Sequence, residues 1–328
     1  MHNRFLIAID SGKNTTKGVM KEEGTLLRIK FWTKVEAVSD FGAEIAPNSF
    51  LVEFEGKSFL IGEMVGEDRT NFDLTKHTKE HLLCIYLAIT QLLLKSRQSK
   101  GIADISLAIN IPLSLYKNEK HKNAYFDFIR NGGQAIYIKV NGKSFVFRIN
   151  QLLLLPEGIG PIYSDINQYR NKRALVVDIG SLNINYLEFN HLVPQYDKMI
   201  TTDHGVNILR SKLADTLTSK YGTTISDSDV EQLFKDKYLY LNGEKQEDSK
   251  EIIERLIADH VKEIFNHARS RKLTFNNTEM IFVGGGSLLL RDYILMQFPA
   301  ALIHSDPQFA NVLSFLKILE AKQYGQTA

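Results

Sequence analysis

The sequence predicts an α/β fold built from two related domains. Two apolar runs, FLIAIDSG at 5–12 and ALVVDIGS at 174–181, each end in an aspartate followed two residues later by glycine. An apolar run that leads into an acid and a glycine is typical of a buried strand entering a tight turn, where backbone amides can face an anion. A third apolar run, EMIFVGGGS at 279–287, ends in three glycines. Because the two Asp-x-Gly turns lie about half a chain apart, we expect two domains that each carry one.

Composition indicates an ordinary globular protein. The chain has 328 residues, of which 44% are hydrophobic and 24% charged, so it is long enough to bury one or two cores. Its formal net charge of +2 is too balanced to indicate direct binding of nucleic acid. The single cysteine, Cys84, excludes a disulfide within the chain, and the first residues lack the long apolar stretch of a signal peptide or membrane span. We therefore expect a cytoplasmic protein that does not bind membranes.

Alternation of apolar and polar residues predicts the strands and hairpins. The hairpins are expected at 16–32, broken by Glu22-Glu23-Gly24, at 50–63, turning at Glu55-Gly56-Lys57, and on either side of Asn141-Gly142. Asn-Gly is a strong hairpin signal because both residues tolerate a positive φ. The apolar run 105–116 is expected to form a buried strand that stops at Pro112, since proline cannot donate a hydrogen bond to a sheet.

Apolar residues at three- and four-residue spacing predict the helices. In chain order these are 78–96, 117–131, 205–220, 226–236, 248–270, 288–296 and 311–323, the second of them mainly polar. Asp227 to Asp229 are expected to cap the helix over 226–236. The polar stretch NQYRNKR at 167–173 is the best candidate for a crossing between domains, and a second crossing is expected near residue 305. The predicted domains are therefore 1–166 with 308–328, and 167–307, joined by a hinge.

The first Asp-x-Gly turn carries the residue types of a phosphate-binding loop. It reads Asp10-Ser11-Gly12-Lys13-Asn14-Thr15-Thr16-Lys17. Small residues let the backbone approach phosphate oxygens, hydroxyl groups add donors, and Lys17 adds a positive charge. A polar hairpin turn, in which Asp10 and Asn14 bond their own backbone, fits these residues equally well. The turn is not a Walker P-loop, because the first glycine of that motif would fall at Ile7.

Two later turns repeat this arrangement. Asp178-Ile179-Gly180-Ser181 follows the second apolar strand, and the pair of turns is a stronger signal than either turn alone. Gly284, Gly285 and Gly286 leave a strand for a helix, where glycine permits close backbone approach to a flat or phosphorylated ligand. A flexible connector is the alternative interpretation of these glycines. If the two domains face each other, the turns predict a nucleotide site, with the aspartates anchoring magnesium through water.

Other conspicuous residues carry weaker signals. Glu157 follows an apolar strand in LLPEG, where a carboxylate could orient an attacking water, although on spacing alone a surface turn is the better interpretation. His77 and His81 lie four residues apart without the glutamate of a zincin, so we expect a solvated helix start rather than a zinc site. Cys84 lies on an apolar helix face and is expected in the core.

The order of these motifs resembles the actin, sugar kinase and heat-shock chaperone superfamily of ATPases. The resemblance covers essentially the whole chain: an Asp-x-Gly hairpin, a Pro-Glu junction, a second Asp-x-Gly hairpin and a Gly-Gly-Gly loop. Four segments resemble the bacterial plasmid-segregation actins of the ParM type: VEFEGKSFLIGE, AINIPLSLY, LLPEGIGPIY and DPQFANVLSFLKI. The resemblance implies a two-domain actin-like (ribonuclease H-like) α/β fold with the nucleotide in the cleft between the domains.

The resemblance also implies a role for each matched residue, with ATP and magnesium as cofactors. The implied phosphate-loop residues are Asp10, Ser11, Gly12, Lys13, Asn14, Lys17, Gly180 and Ser181, with Lys17 reaching the β-phosphate. Asp10 and Asp178 are implied at the magnesium ion, and Gly284, Gly285 and Gly286 beside the adenosine. Glu157 takes the place of the residue that positions the hydrolytic water, which reverses the interpretation based on spacing. Asn185 is a departure, because it stands where the superfamily often has a further aspartate and cannot carry that charge.

The resemblance favours a filament-forming ATPase. ATP binding would close the cleft and favour polymerisation, and hydrolysis would weaken the lattice so that filaments turn over. The implied partners are further copies of the chain in a homopolymer and a small DNA-binding adaptor that links the filament to a plasmid, without direct contact to nucleic acid. Two alternatives remain open: a small-molecule kinase of the same superfamily, and a scaffold that binds ATP without hydrolysing it.

Overall fold

The computed structural model describes residues 4–39, 41–66, 76–98 and 101–325. The chain divides into two compact units: unit 1 holds Met1–Ser164 and Asn311–Ala328, and unit 2 holds Asp165–Ala310. Each unit has a hydrophobic core of its own, built on its own sheet. Of the helices within the described residues, none combines the length and the apolar character that a membrane crossing requires.

Unit 1 is organised around a large mixed sheet. Its strands are β1 (Arg4–Ser11), β2 (Thr15–Glu22), β3 (Thr25–Trp32), β4 (Val35–Val38), β5 (Ser49–Phe54), β6 (Lys57–Gly62), β7 (Ala103–Ile111), β8 (Ile136–Val140) and β9 (Lys143–Pro156). Across the described residues they pair in the order β3-β2-β1-β7-β9-β8-β5-β6-β4. Strands β1, β7 and β9 are parallel to one another. Their carboxyl ends therefore meet at one edge of the sheet, which is where ligands commonly bind in α/β folds.

Three helices of unit 1 accompany this sheet: α1 (Lys79–Lys95), α2 (Leu113–Tyr116) and α3 (Glu119–Arg130). Helix α1 begins where the Thr78 side chain accepts the backbone N–H of His81 at 3.3 Å, which satisfies one of the unpaired donors of the first turn. Twelve of the 17 residues of α1 are buried, including Cys84, as the sequence predicted. Helix α3 instead buries a narrow stripe containing Tyr125 and Ile129. Helix α1 is therefore the central helix of the unit 1 core.

Unit 2 contains the second sheet and most of the helices. Its strands are β10 (Arg173–Ile179), β11 (Ile184–Asn190), β12 (Val193–Pro194), β13 (Ile200–Thr202), β14 (Leu239–Leu241), β15 (Glu244–Gln246), β16 (Glu279–Val283) and β17 (Leu302–Ile303). Its helices are α4 (Ile166–Tyr169), α5 (Val206–Tyr221), α6 (Asp227–Asp236), α7 (Ser249–Ser270), α8 (Gly285–Leu289) and α9 (Arg291–Gln297). The main sheet runs in the order β12-β11-β10-β16-β17, and β13 pairs with β11. The apolar faces of α5, α6 and α7 supply much of the core.

The two sheets share one five-strand arrangement. Strands β3-β2-β1-β7-β9 in unit 1 correspond in order to β12-β11-β10-β16-β17 in unit 2. In each, the first three strands are antiparallel neighbours and the last three are parallel. The two Asp-x-Gly turns follow β1 and β10, which are the middle strands of these arrangements. The sequence repeat is therefore also a repeat of topology.

The last helix, α10 (Ala310–Gly325), returns the chain to unit 1. The side-chain oxygen of Asn311 accepts the backbone N–H of Gly160 at 2.8 Å. The hydroxyl of Ser314 donates to the carbonyl of Gly160 at 2.7 Å and accepts the N–H of Ser164 at 3.1 Å. These bonds hold the start of α10 against the segment that follows β9.

Most predicted elements are confirmed, and one predicted helix is wrong in its bounds. The apolar run 105–116 forms the predicted strand, which ends at Ile111, just before Pro112, and the short helix α2 follows, which was not predicted. The helix predicted over 288–296 is replaced by α8 and α9, which meet at Leu290. There the backbone leaves helical geometry, with φ −100° and ψ 6°.

The cap of α6 also differs from the prediction. Ser226 occupies the N-cap, and its hydroxyl accepts the backbone N–H of Asp229 at 3.2 Å. The carboxylate of Asp229 accepts the backbone N–H of Ser226 at 2.8 Å in return. Asp229 thus contributes to the cap as the third helical residue of a capping box, and Asp227 is the first residue of the helix.

One histidine in the unit 2 core is buried without a hydrogen-bond partner. His260 on α7 is 1% exposed, and neither ring nitrogen is hydrogen-bonded within the part of the chain that the structure describes. Burial lowers its pKa to about 4, with the charges of Lys212 and His204 acting in the same direction and that of Glu263 opposing them. The folded protein therefore holds this imidazole neutral at neutral pH.

Acidification is expected to destabilise the protein through His260. The unfolded chain protonates this histidine near the ordinary pKa of 6.5, whereas the folded chain resists protonation until about 4. Since the unfolded state then binds more protons between these values, the free energy of unfolding falls as the pH falls, by about 2 kcal/mol between about pH 7.5 and about pH 5. Denaturant unfolding of His260→Leu at both pH values should show a pH dependence smaller by that amount. An unchanged dependence would contradict the assignment.

Candidate functional site

The turn between β1 and β2 is a closed backbone loop with a charged pair at its base. The N–H of Gly12 donates to the carbonyl of Thr15 at 3.1 Å. A Cβ on Gly12 would lie 2.8 Å from that same oxygen, so the loop requires glycine here. Asp10 and Lys17 face each other across the two strands, and Lys17 Nζ lies 3.6 Å from Asp10 Oδ2. The loop thus combines a closed backbone turn with a carboxylate and a cation.

The turn between β10 and β11 has the same construction. The N–H of Gly180 donates to the carbonyl of Asn183 at 3.0 Å, and a Cβ on Gly180 would lie 2.9 Å from that oxygen. Asp178 faces Asn185 across the strands, as Asp10 faces its partner in unit 1. Asn185 is 3% exposed, and its Oδ1 accepts the hydroxyl of Thr201 at 2.7 Å. The second loop therefore repeats the geometry of the first without its cation.

The start of α5 holds the second loop in place, and no pattern in the sequence predicted this support. The N–H groups of Gly205, Val206 and Asn207 donate to the carbonyls of Leu182, Gly180 and Ser181 at 3.0, 3.1 and 2.8 Å. A Cβ on Gly205 would lie 2.3 Å from the Ser181 oxygen. Only glycine fits at position 205, because any side chain would collide with the second loop.

The three glycines after β16 occupy different environments. Gly284 has φ +85°, and a Cβ there would lie 2.4 Å from Asp178 Oδ1 and 2.5 Å from the Ile179 carbonyl. At Gly286 a Cβ would lie 2.3 Å from the Ile179 side chain. At Gly285 it would meet no atom nearer than the amide nitrogen of Gln308, at 3.5 Å. Gly284 and Gly286 therefore pack against the strand that carries Asp178, whereas Gly285 has space beside it.

A buried polar cluster links the first loop to Glu157. Asn110 Oδ1 accepts the N–H of Ser11 at 2.8 Å, while its Nδ2 donates to the Ser11 carbonyl at 3.3 Å and to Glu157 Oε1 at 3.1 Å. Lys76 Nζ donates to the Ser11 carbonyl at 2.6 Å and forms an ion pair with Glu157 Oε1. The backbone N–H of Glu157 donates to the carbonyl of Ile111 at the end of β7. Glu157 therefore lies inside the cluster rather than in a solvated surface turn.

The prediction for His81 is wrong. His77 is exposed, but His81 is 5% exposed, with its Nδ1 3.4 Å from the Ser11 hydroxyl and its Nε2 2.8 Å from the hydroxyl of Tyr125. Burial, followed by the charges of Lys76 and Lys13, lowers the pKa of His81 well below its ordinary value. A neutral His81 thus contacts the first loop through the Ser11 hydroxyl. Its burial follows from the position of α1 in the core.

Within each unit, the predicted site residues gather at one edge of the sheet. In unit 1 these residues are Asp10, Ser11, Gly12, Lys13, Asn14, Lys17 and Glu157, and in unit 2 they are Asp178, Gly180, Ser181, Gly284, Gly285 and Gly286. The sequence did not predict the supporting residues Lys76, Asn110 and Gly205. No group of three or more His, Cys, Asp or Glu side chains within the described ranges is placed to hold a metal ion directly.

Two protein-family models match most of the chain. The model described as "Actin like proteins N terminal domain" matches residues 8–160, within unit 1. The model described as "Archaeal actin homologue MreB-like, C-terminal" matches residues 176–295, within unit 2. The chain belongs to the actin superfamily. No curated protein matches this actin-like protein significantly by sequence.

Solved structures of actin homologues share the fold of this actin-like protein over nearly its whole length. Ta0583, an archaeal actin homolog, is similar with a TM-score of 0.79 and 19% identity, covering 97% of this chain and 99% of Ta0583. The Alp12 filament structure gives a TM-score of 0.72 and 26% identity over 98% and 99%. A 15-stranded ParM filament from Clostridium botulinum gives 0.76 and 19% over 97% and 99%. The predicted two-domain actin-like α/β fold and the likeness to ParM proteins are thereby confirmed.

The three glycines after β16 should respond differently to substitution by alanine. Gly284→Ala places a Cβ against Asp178 at a positive φ, so we expect a loss of unfolding free energy of about 2 kcal/mol or more. Gly285→Ala is the matched control, because its Cβ has room, and its effect should stay within about 0.5 kcal/mol. Denaturant unfolding without nucleotide measures both values. Equal effects of the two substitutions would show that the packing assigned to Gly284 is incorrect.

Proposed function

We propose that this actin-like protein binds ATP with magnesium, assembles into filaments, and hydrolyses the nucleotide as the filaments turn over. The observation that carries the proposal is the pair of matching loops. Each unit presents an aspartate at the end of a central strand, followed by a glycine whose N–H closes the loop onto a carbonyl three residues later. Two anion-binding loops of one design suit a chain of several phosphates, which needs amide donors and countercharge from two sides.

The residues of the loops fit a magnesium-bound polyphosphate. Gly12 and Gly180 allow the tight turns that bring the loop backbone to the end of each strand, and Lys17 supplies the cation for the β-phosphate. Asp10 and Asp178 would hold magnesium through water, which accords with the preference of this ion for keeping several water ligands. When bound, the ion would neutralise phosphate charge. The space beside Gly285 suits the close approach of an adenosine, with Gly284 and Gly286 shaping the backbone around it.

Glu157 is the residue that we assign to the hydrolytic water. Its side chain is 12% exposed and is fixed by hydrogen bonds next to the first loop, so it can orient a water without losing much freedom. The position at which the superfamily often has a further aspartate adds no acid here, because it is the amide Asn185, whose Oδ1 accepts the Thr201 hydroxyl. Hydrolysis would therefore depend on Glu157, with Asp178 acting through magnesium.

Filament formation is proposed from the structural neighbours. The Alp12 and Clostridium botulinum ParM structures are both described as filaments, and this chain covers nearly all of each. A Ta0583 structure is described as a complex with ADP. By extension from ParM, the cargo would be plasmid DNA, held by a DNA-binding adaptor in the cytoplasm. The near-neutral net charge of +2 agrees with indirect handling of DNA.

Sedimentation with different nucleotides tests the proposed assembly. At roughly tens of micromolar protein, we expect the chain to pellet with ATP and magnesium and to stay soluble with ADP or without nucleotide. Electron micrographs of the pellet should show filaments. Protein that stays in the supernatant under all three conditions would count against the proposal. ATP consumption stimulated by a small hydroxylated compound, without any pelleting, would favour the kinase instead.

The substitution Glu157→Gln separates nucleotide binding from hydrolysis. We expect phosphate release to slow on the order of a hundredfold, because the carboxylate that orients the water is lost. Nucleotide affinity should change by less than about threefold, since Glu157 is not assigned to the phosphates. Filaments formed with ATP should persist longer than those of the wild type in light scattering. Phosphate release at the wild-type rate would show that Glu157 does not orient the hydrolytic water, and if both rates were no higher than the uncatalysed rate, the result would support the scaffold.

A further inference from the structure

Two donors converge on a single oxygen of Glu157. Lys76 Nζ and Asn110 Nδ2 both bind Oε1, and the same two groups also bind the Ser11 carbonyl, at 2.6 and 3.3 Å. The Lys76 side chain and the Asn110 side chain thus each connect the first loop to Glu157, and we call these two connections the lysine bridge and the asparagine bridge. Because both donors occupy Oε1, they fix the direction in which Oε2 points.

The asparagine bridge requires an amide side chain, because it uses both an acceptor and donors. Asn110 binds the Ser11 backbone at two points: its Oδ1 accepts the Ser11 N–H at 2.8 Å, and its Nδ2 donates to the Ser11 carbonyl. The second hydrogen of Nδ2 is then directed to Glu157. An aspartate could accept the N–H but has no hydrogen for either remaining bond. Asn110 is 1% exposed, so a lost bond there would not be replaced readily by bulk water.

Burying the Lys76 ammonium costs free energy unless the charge is paired. Lys76 is 3% exposed, and a buried ammonium requires a partner such as the Glu157 carboxylate. Its backbone adopts φ +54°, a left-handed conformation that side-chain-bearing residues adopt infrequently. Such backbone outliers are concentrated at functional sites, where the surrounding structure maintains them. Burial, pairing and backbone conformation all place the ammonium between the first loop and Glu157.

We propose that Lys76 and Asn110 are positioning residues that hold Glu157 in register with the first loop, so that Oε2 faces the hydrolytic water. This inference rests on the proposed function. A shift of the Ser11 peptide on phosphate binding passes to Glu157 through one hydrogen-bonding side chain. The bridges therefore tie the orientation of the water-binding carboxylate to the occupancy of the loop. Neither residue touches the reacting atoms, and both act through Glu157.

Single-turnover hydrolysis of ATP tests this role with two variants and two controls. Lys76→Met and Asn110→Ala each remove one bridge, and we expect each to slow hydrolysis on the order of tenfold to a hundredfold. Nucleotide affinity should stay within about threefold of the wild type. The matched controls are Lys79→Met, which removes a surface lysine paired with Glu55, and Asn150→Ala, which removes a surface asparagine bonded to Asp104. Both controls should hydrolyse ATP at the wild-type rate.

A double-mutant cycle distinguishes positioning from a general structural role. In a Glu157→Ala background, Lys76→Met and Asn110→Ala should each change the residual rate by less than about twofold, because the group they position is gone. Losses that multiply with that of Glu157→Ala would overturn the inference, as would wild-type rates in the two variants. A faster Lys76→Met enzyme would also overturn it, since Lys76 would then restrain Glu157. If Lys76→Met does not fold, Asn110→Ala alone decides by the same criteria.

The same experiment separates this inference from the proposed function. A wild-type protein that binds ATP but releases no phosphate would refute the proposed ATPase and the inference with it. Phosphate release by the wild type and by both variants at equal rates would refute the inference alone.

Discussion

One hydrogen bond, from a glycine N–H to the carbonyl three residues later, fixes the conformation of both candidate loops. It closes the turn after Gly12 at 3.1 Å and the turn after Gly180 at 3.0 Å, and in each case a Cβ would intrude on the accepting oxygen. The aspartate two residues earlier is thereby kept at the end of its strand. Different residues support the two loops: Asn110 bonds the first loop in unit 1, and Gly205 bonds the second loop in unit 2.

The two loops are equivalent in backbone but not in charge. Across the strands from Asp10 lies Lys17, whereas Asp178 lies opposite the buried amide of Asn185. The two ion pairs beside the first loop, Lys17 with Asp10 and Lys76 with Glu157, both lie in unit 1. Unit 2 contributes a carboxylate and a tightly packed backbone. The repeat of topology is thus not a repeat of charge.

Sequence patterns predicted the features that depend on neighbours in the chain. Strand alternation, helix spacing and the Asp-x-Gly turns are local, and they led to the actin-like fold and to most helices and strands. Lys76 and Asn110 could not be found in this way, because they lie 65 and 99 residues from the Ser11 peptide that they bind. His81 was placed in solvent because the start of α1 is polar in sequence. The structure buries residues on nearly every side of that helix, so α1 does not have the solvent-exposed polar face that is usual for a surface helix.

The contacts of α10 bear on folding during synthesis, because they join unit 1 to the last residues of the chain. Unit 2 is one continuous stretch, Asp165–Ala310, whereas unit 1 is completed only when Asn311 and Ser314 bond the segment around Gly160. Domains fold as units while the chain emerges from the ribosome. The later half of the chain can thus reach its native state while the earlier half still lacks its closing helix. A stalled or truncated product would carry a finished unit 2 beside an incomplete unit 1.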